Sequence, residues 1–77
     1  MTKDERFLIE IFQAIQATPN AQGAADPRQI AKKLGYKEVL TYEIIKGLRK
    51  ANFIKMNSEE QVVLTERGEL LARTLLS

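Results

Sequence analysis

The chain predicts a mostly α fold with a small β-hairpin, in the order helix, helix, helix, hairpin, helix. Two observations carry this. Apolar side chains recur at the three-to-four-residue spacing of a helix face over residues 2–17, 27–34, 38–51 and 66–76. Between residues 53 and 65 the period changes to short, partly β-branched runs on either side of a polar turn. With 77 residues, 44% of them hydrophobic, residues 1–77 are expected to form a single domain with one thin core.

The first helix is expected at about residues 2–17. Phe7, Leu8, Ile11, Phe12 and Ile15 follow the i, i+1, i+4, i+5, i+8 pattern of one buried face. Ile9 falls about 200° around from Ile11, which predicts an exposed side chain, available as a subunit contact. Asp4, Glu5 and Glu10 read as a solvated helix start whose charges suit the helix dipole. Pro19, Asn20 and Gly23 break the helix, and residues 18–25 read as a polar, small-residue connection.

The second helix is announced by Asp26 as N-cap, Pro27 at the first helical position and Gln29 at the N3 place of a capping box. Ile30, Ala31 and Leu34 form its inward side, and Gly35 ends it in the left-handed conformation. Tyr36, just after the turn, is expected in the core. The third helix runs from about residue 38 to 51 with Thr41, Ile44, Ile45 and Leu48 inward. Lys37 stands at its N-cap, where Ser, Thr or Asp is usual. Asn52 closes it, as the residue best suited after glycine to positive φ. Residues 53–57 and 61–65 then form the hairpin around Asn57, Ser58, Glu59 and Glu60. Thr65 caps a last helix at 66–76 carrying Leu70, Leu71, Leu75 and Leu76, of which Leu75 and Leu76 are expected to cover the core or to form a dimer seam.

Composition argues against most enzyme chemistry. There is no cysteine for a disulfide or thiolate site, and no histidine to serve as metal ligand or general base. No catalytic residue, metal or cofactor is therefore expected. Apolar runs never exceed three residues, so no membrane span is expected and a cytoplasmic location is. The net charge of +2 is unevenly spread. Residues 26–56 hold eight Lys and Arg against three Asp and Glu, an excess of five, while the segments on either side are net acidic. A basic centre of this kind either faces phosphates or merely solvates a helix surface.

Residues 29–48 form the most informative pattern. Ala31 allows close packing, Gly35 permits a tight turn, and Ile30 and Leu34 are spaced to meet Thr41, Ile44, Ile45 and Leu48. The stretch resembles the winged helix-turn-helix family, of the kind seen in MarR-like and PadR-like bacterial regulators. Leu48-Arg49-Lys50-Ala51-Asn52-Phe53-Ile54-Lys55 looks like the family's approach to its wing, and Val63-Leu64-Thr65-Glu66-Arg67-Gly68 looks like its wing exit. The resemblance covers about residues 27–72, with the helix-turn-helix at about 27–51 and the wing at about 53–65.

This resemblance implies a double-stranded DNA-binding protein, a small transcription regulator whose third helix enters the major groove. Outward positions on that helix are Val39, Tyr42, Glu43, Lys46, Arg49 and Lys50. Recognition would fall to Lys37, Tyr42, Lys46 and Lys50, with Arg28, Lys32, Lys33 and Arg49 anchoring the phosphate backbone. One module covers only a short half-site, so a homodimer through the N- and C-terminal helices is expected. The alternative is a protein-interaction winged helix, an adaptor or assembly subunit with a protein partner. That reading draws on the acidic hairpin tip Ser58-Glu59-Glu60, on Glu43, and on the spare apolar residues Ile9, Val39, Leu75 and Leu76.

Overall fold

Seven elements follow one another along the computed structural model, which describes residues 1–17 and 23–77. They are α1 (Lys3–Ala17), β1 (Ala24–Ala25), α2 (Pro27–Leu34), α3 (Glu38–Lys50), β2 (Ile54–Met56), β3 (Val62–Leu64) and α4 (Glu66–Leu76). Among the described residues the fold is thus mostly helical, with four helices and a small antiparallel sheet ordered β1-β3-β2. Pro19 and Asn20, expected to break the first helix, lie outside the described residues.

The first helix starts with a reciprocal cap. The Thr2 N–H donates to Glu5 Oε1 at 2.8 Å, and the Glu5 N–H donates to Thr2 Oγ1 at 3.1 Å, the Thr-x-x-Glu capping box. From there α1 runs through the middle of the domain, packed by α2, α3 and α4 and by β1 and β3. This overturns the outward place expected for Ile9, which is buried along with Phe7, Leu8, Ile11 and Phe12. A helix enclosed on several sides has no single inward face, so the one-stripe reading fails over residues 7–12. Glu10, expected in solvent, is buried for the same reason, at 8% exposure. Its charge is answered: Lys33 Nζ of α2 lies 3.0 Å from Glu10 Oε1, and Arg6 Nε lies 3.9 Å from Oε2.

Residues 24 and 25, expected to be connection, form β1 instead. Ala24 pairs with Val63 and Ala25 with Val62, so β3 is flanked on both edges. Two alanines carry almost no strand preference of their own; the pairing with β3 makes the strand.

The α2–α3 unit takes its expected N-cap, opening proline and closing glycine, though the Asp26 side chain bonds the Arg28 N–H and not that of Gln29, the partner a capping box would use. Asp26 Oδ1 accepts from the Arg28 N–H at 2.9 Å, Pro27 opens α2, and Gly35 closes it at φ 73°. Behind Gly35 the Tyr36 N–H reaches Ala31 O (2.9 Å) and the Gly35 N–H reaches Lys32 O (3.2 Å). These are the two bonds of a Schellman motif. The end of α3 repeats it: Phe53 N–H to Leu48 O, Asn52 N–H to Arg49 O, with Asn52 at φ 64°. Lys37 makes no side-chain cap bond to α3, and its carbonyl instead accepts from both the N–H and the hydroxyl of Thr41.

In the hairpin the Asn57 side-chain oxygen accepts from the N–H groups of Glu59 and Gln61, both at 2.9 Å, while Glu60 takes a positive φ of 60°. Thr65 joins hairpin to helix. Its Oγ1 accepts from the Gly68 N–H, capping α4, and donates to Asn52 O, while its own N–H donates to Phe53 O. The backbones of α4 and Phe53 meet at Gly68, where a Cβ would lie 1.9 Å from Phe53 O. That contact sets the rotation of α4. Gly68 and Ala72 are buried with Leu71 and Leu75 half-buried beside them, and Leu70, about 200° from both glycine and alanine, is 67% exposed. Leu76, expected either to cover the core or to form a dimer seam, is exposed as well.

Candidate functional site

The outward face of α3 follows from its buried one. Thr41, Ile44 and Leu48 are buried against the domain, and at about 100° per residue Val39 and Lys46 stand opposite Ile44. Val39 is 77% exposed and Tyr42 64%, and Glu43, Lys46, Arg49 and Lys50 are exposed with them.

Two open clefts flank this face. The larger, about 520 Å³, lies between α2 and α3 and is lined by Arg28, Ala31, Lys32, Tyr36, Glu38, Thr41, Tyr42 and Ile45. The smaller, about 330 Å³, is lined by Tyr42, Ile45, Lys46, Arg49 and Lys50. Tyr42 and Ile45 belong to both, so they form a shared ridge with cations from two helices around it. Six of the eight residues expected to meet a polyanion (Arg28, Lys32, Tyr42, Lys46, Arg49 and Lys50) are brought together here.

The other two stand apart. Lys33 points back to Glu10, which holds its charge at 3.0 Å. Lys37 is exposed at the start of α3 and lines neither cleft. Tyr36 is half-buried against the core while its other side enters the larger cleft. Ile45, expected wholly inward, is half-buried and supplies the floor between the clefts. Its position about 100° from Ile44 marked it as a boundary residue, a signal that an inward-or-outward reading discards.

Electrostatics sharpen the contrast. Among the described residues the ion pairs use Arg6, Lys33 and Arg73, with Glu10 and Glu69 as partners. Arg28, Lys32, Lys46, Arg49 and Lys50 make none among the described residues, so their charges are available to an external anion. Lys32 in the last turn of α2, and Arg49 and Lys50 in the last turn of α3, also complement helix dipoles. Glu38 is an acidic group in the larger cleft, and Glu43 is exposed on the flank of α3 that lines neither. The hairpin tip presents Glu59 and Glu60 to solvent, with exposed Lys55 nearby on β2.

The surface offers cationic donors, a phenol and apolar contact, which is the chemistry of binding. Among the described residues no group of three or more carboxylate, imidazole or thiol side chains is placed to hold a metal ion. None of the described helices is long and apolar enough to cross a membrane. No family model matches the chain, and no curated protein matches it.

Proposed function

We propose that this chain is a winged helix-turn-helix domain that binds double-stranded DNA, a small cytoplasmic transcription regulator. In this reading α3 lies in the major groove and the β2–β3 hairpin is the wing. The observation that carries it is the set of five cations without ion pairs among the described residues, drawn from α2 and α3 and gathered around the exposed face of α3. Arg28, Lys32 and Arg49 hold phosphates, Tyr42, Lys46 and Lys50 face the groove, and Lys37 stands at the end of α3 nearest the bases. Lys33 contributes less, because Glu10 already neutralises it. The acidic tip keeps the wing away from the duplex, so α3 carries the contact. A second copy, joined through exposed Leu70 and Leu76 of α4, supplies the second half-site. With Ile9 buried, the N-terminal helix offers that contact little.

A nuclear magnetic resonance titration with random duplex tests this reading. Shifts confined to residues 28–50 that fade as salt rises are expected; shifts centred on α4 or on the hairpin tip, or none at all, would overturn it. The alternative, a protein-interaction adaptor, draws on the exposure of Val39 and Tyr42 together with Glu59 and Glu60. It predicts a stable protein complex that Val39→Asp disrupts, with no salt-dependent affinity for duplex.

A further inference from the structure

At 77% exposure Val39 is the most exposed large apolar side chain among the described residues, ahead of Met1, Leu70, Tyr42 and Leu76. Neither packing nor propensity explains a valine there. It buries almost nothing, and a β-branched residue is a weaker helix former than the Lys, Glu or Gln that an exposed first turn would favour. Its place is not arbitrary either. It stands opposite Ile44 in the first turn and a half of α3, on one line with Lys46 and Lys50 and beside Tyr42.

Glu43 is equally out of keeping with its surroundings. It is a carboxylate beside Lys46 and Lys50 on the outward side of α3, one turn beyond Val39 and outside both cation-lined clefts, whereas the other carboxylate of α3, Glu38, lies in the larger cleft. Facing phosphate it would be repelled. Facing base edges it has one natural partner, because cytosine offers a lone N4 amine donor in the major groove. The natural partner of an apolar side chain there is the C5-methyl of thymine. Residues at i and i+4 lie about 6 Å apart, the span of one to two base-pair steps.

We infer that Val39 and Glu43 determine the base preference of this domain, Val39 reading a thymine methyl group and Glu43 a cytosine amine within the next two base pairs. The inference rests on the proposed duplex binding by α3 and adds to it the identity of the bases. Charge complementarity brings the duplex to α3 through the cations of α2 and α3. The cations that hold phosphate discriminate little, and of the three outward residues of α3 that are not cationic, Val39, Tyr42 and Glu43, Val39 and Glu43 each match a single kind of base-edge group.

The test has two arms. Wild type, Val39→Ser and Glu43→Gln are first titrated with random duplex at about 50 mM salt, where the phosphate contribution is strong. All three should bind comparably, Glu43→Gln somewhat tighter. Wild type is then used to select sites from a randomised duplex pool, and the selected duplex is remade with each thymine in turn replaced by deoxyuridine, which lacks only the methyl group. The selected sites should share a thymine and a cytosine no more than two positions apart. Loss of the one methyl that Val39 covers should weaken wild type about fourfold, the worth of one such group taken from water, and should leave Val39→Ser unchanged. Glu43→Gln should lose the preference for cytosine at its position. Random-duplex binding with no penalty for deoxyuridine at any position, or a penalty that Val39→Ser retains, would overturn the inference and leave duplex binding standing. Absence of binding to any duplex overturns both.

Discussion

Gly68→Ala should be among the most damaging single-methyl additions in this domain, although an alanine in a helix is normally a gain. The new Cβ would stand 1.9 Å from Phe53 O, 2.9 Å from its carbonyl carbon and 3.2 Å from its Cα. All are backbone atoms, so no side chain can swing aside. Restoring ordinary contact means parting α4 from residue 53 by roughly 1.5 Å, a displacement that forfeits the dispersion contacts between them. It also pulls Phe53 O from the Thr65 N–H and strains the Thr65 hydroxyl, which donates to Asn52 O. Overpacking costs about 1–3 kcal/mol and the weakened hydrogen bond about 1 kcal/mol more, against about 1 kcal/mol gained in helix propensity. The net loss is about 1–3 kcal/mol, or roughly 4–24 °C in melting temperature for a domain of this size. Gly47→Ala is the matched control. There the Cβ meets only Asp4 Oδ2 at 3.6 Å, so the propensity gain survives and the melting temperature should rise by roughly 4–8 °C. Thermal melts followed by circular dichroism read both. A Gly68→Ala protein that melts at or above the wild-type temperature would refute the close backbone contact that sets the rotation of α4.

Three further outcomes are expected. Thr65→Val keeps the shape of the side chain but removes the cap on Gly68 and the bond to Asn52 O, and should cost about 1–2 kcal/mol in urea unfolding. Lys32→Gln should weaken duplex binding and lower the salt slope by about one unit, while Lys33→Gln should change the slope less, because Glu10 already holds that charge. The Thr2 N–H, donating to Glu5, holds that carboxyl below the usual glutamate range, with the Thr2 side chain adding to the effect. A carboxyl lowered in the folded state stabilises above its unfolded value, and the contribution is lost as pH falls through the folded one. The gap in melting temperature between wild type and Glu5→Ala should therefore be full at neutral pH and narrow on acidification.

How much of this was legible in the sequence depends on whether a feature is local. Asp26, Pro27, Gly35, Asn52 and Thr65 act through backbone atoms a few residues away, and each takes its expected role. The turn at residues 57–60 is local too. The Thr2–Glu5 box is equally local, a Thr-x-x-Glu before an apolar run, and a helix-dipole reading of the acidic residues alone does not contain it. What could not be read depends on chain far away in sequence. Ile9 and Glu10 are buried because three other helices close around α1, and Ala24 and Ala25 become a strand because β3 offers an edge. The phase of α4 rests on one glycine meeting Phe53, which turns Leu70 outward despite its apolar character.

The candidate site divides the same way. The basic excess of residues 26–56 follows from composition, and helical spacing places Tyr42, Lys46, Arg49 and Lys50 on the outside of α3. That Arg28 and Lys32 share a cleft with Tyr42, and that Lys33 does not, depends on how α2 packs on α3 and α1. Spacing alone treats Lys32 and Lys33 as equivalent neighbours. A buried carboxylate on another helix separates them.

The central claim, that the cations on α2 and α3 bind duplex DNA, is tested most directly by the salt dependence of affinity for a random duplex, measured by fluorescence anisotropy for wild type and for Lys46→Glu combined with Lys50→Glu. Both residues are exposed, so the double variant should keep the wild-type fold by circular dichroism. Wild type should show log affinity falling against log salt with a slope of about −3 to −5, as three to five phosphate contacts require. The double variant should bind too weakly to measure, or with a shallower slope. Unchanged affinity and slope in the folded double variant, or no wild-type binding at about 50 mM salt, where phosphate contacts are strong, would contradict the claim.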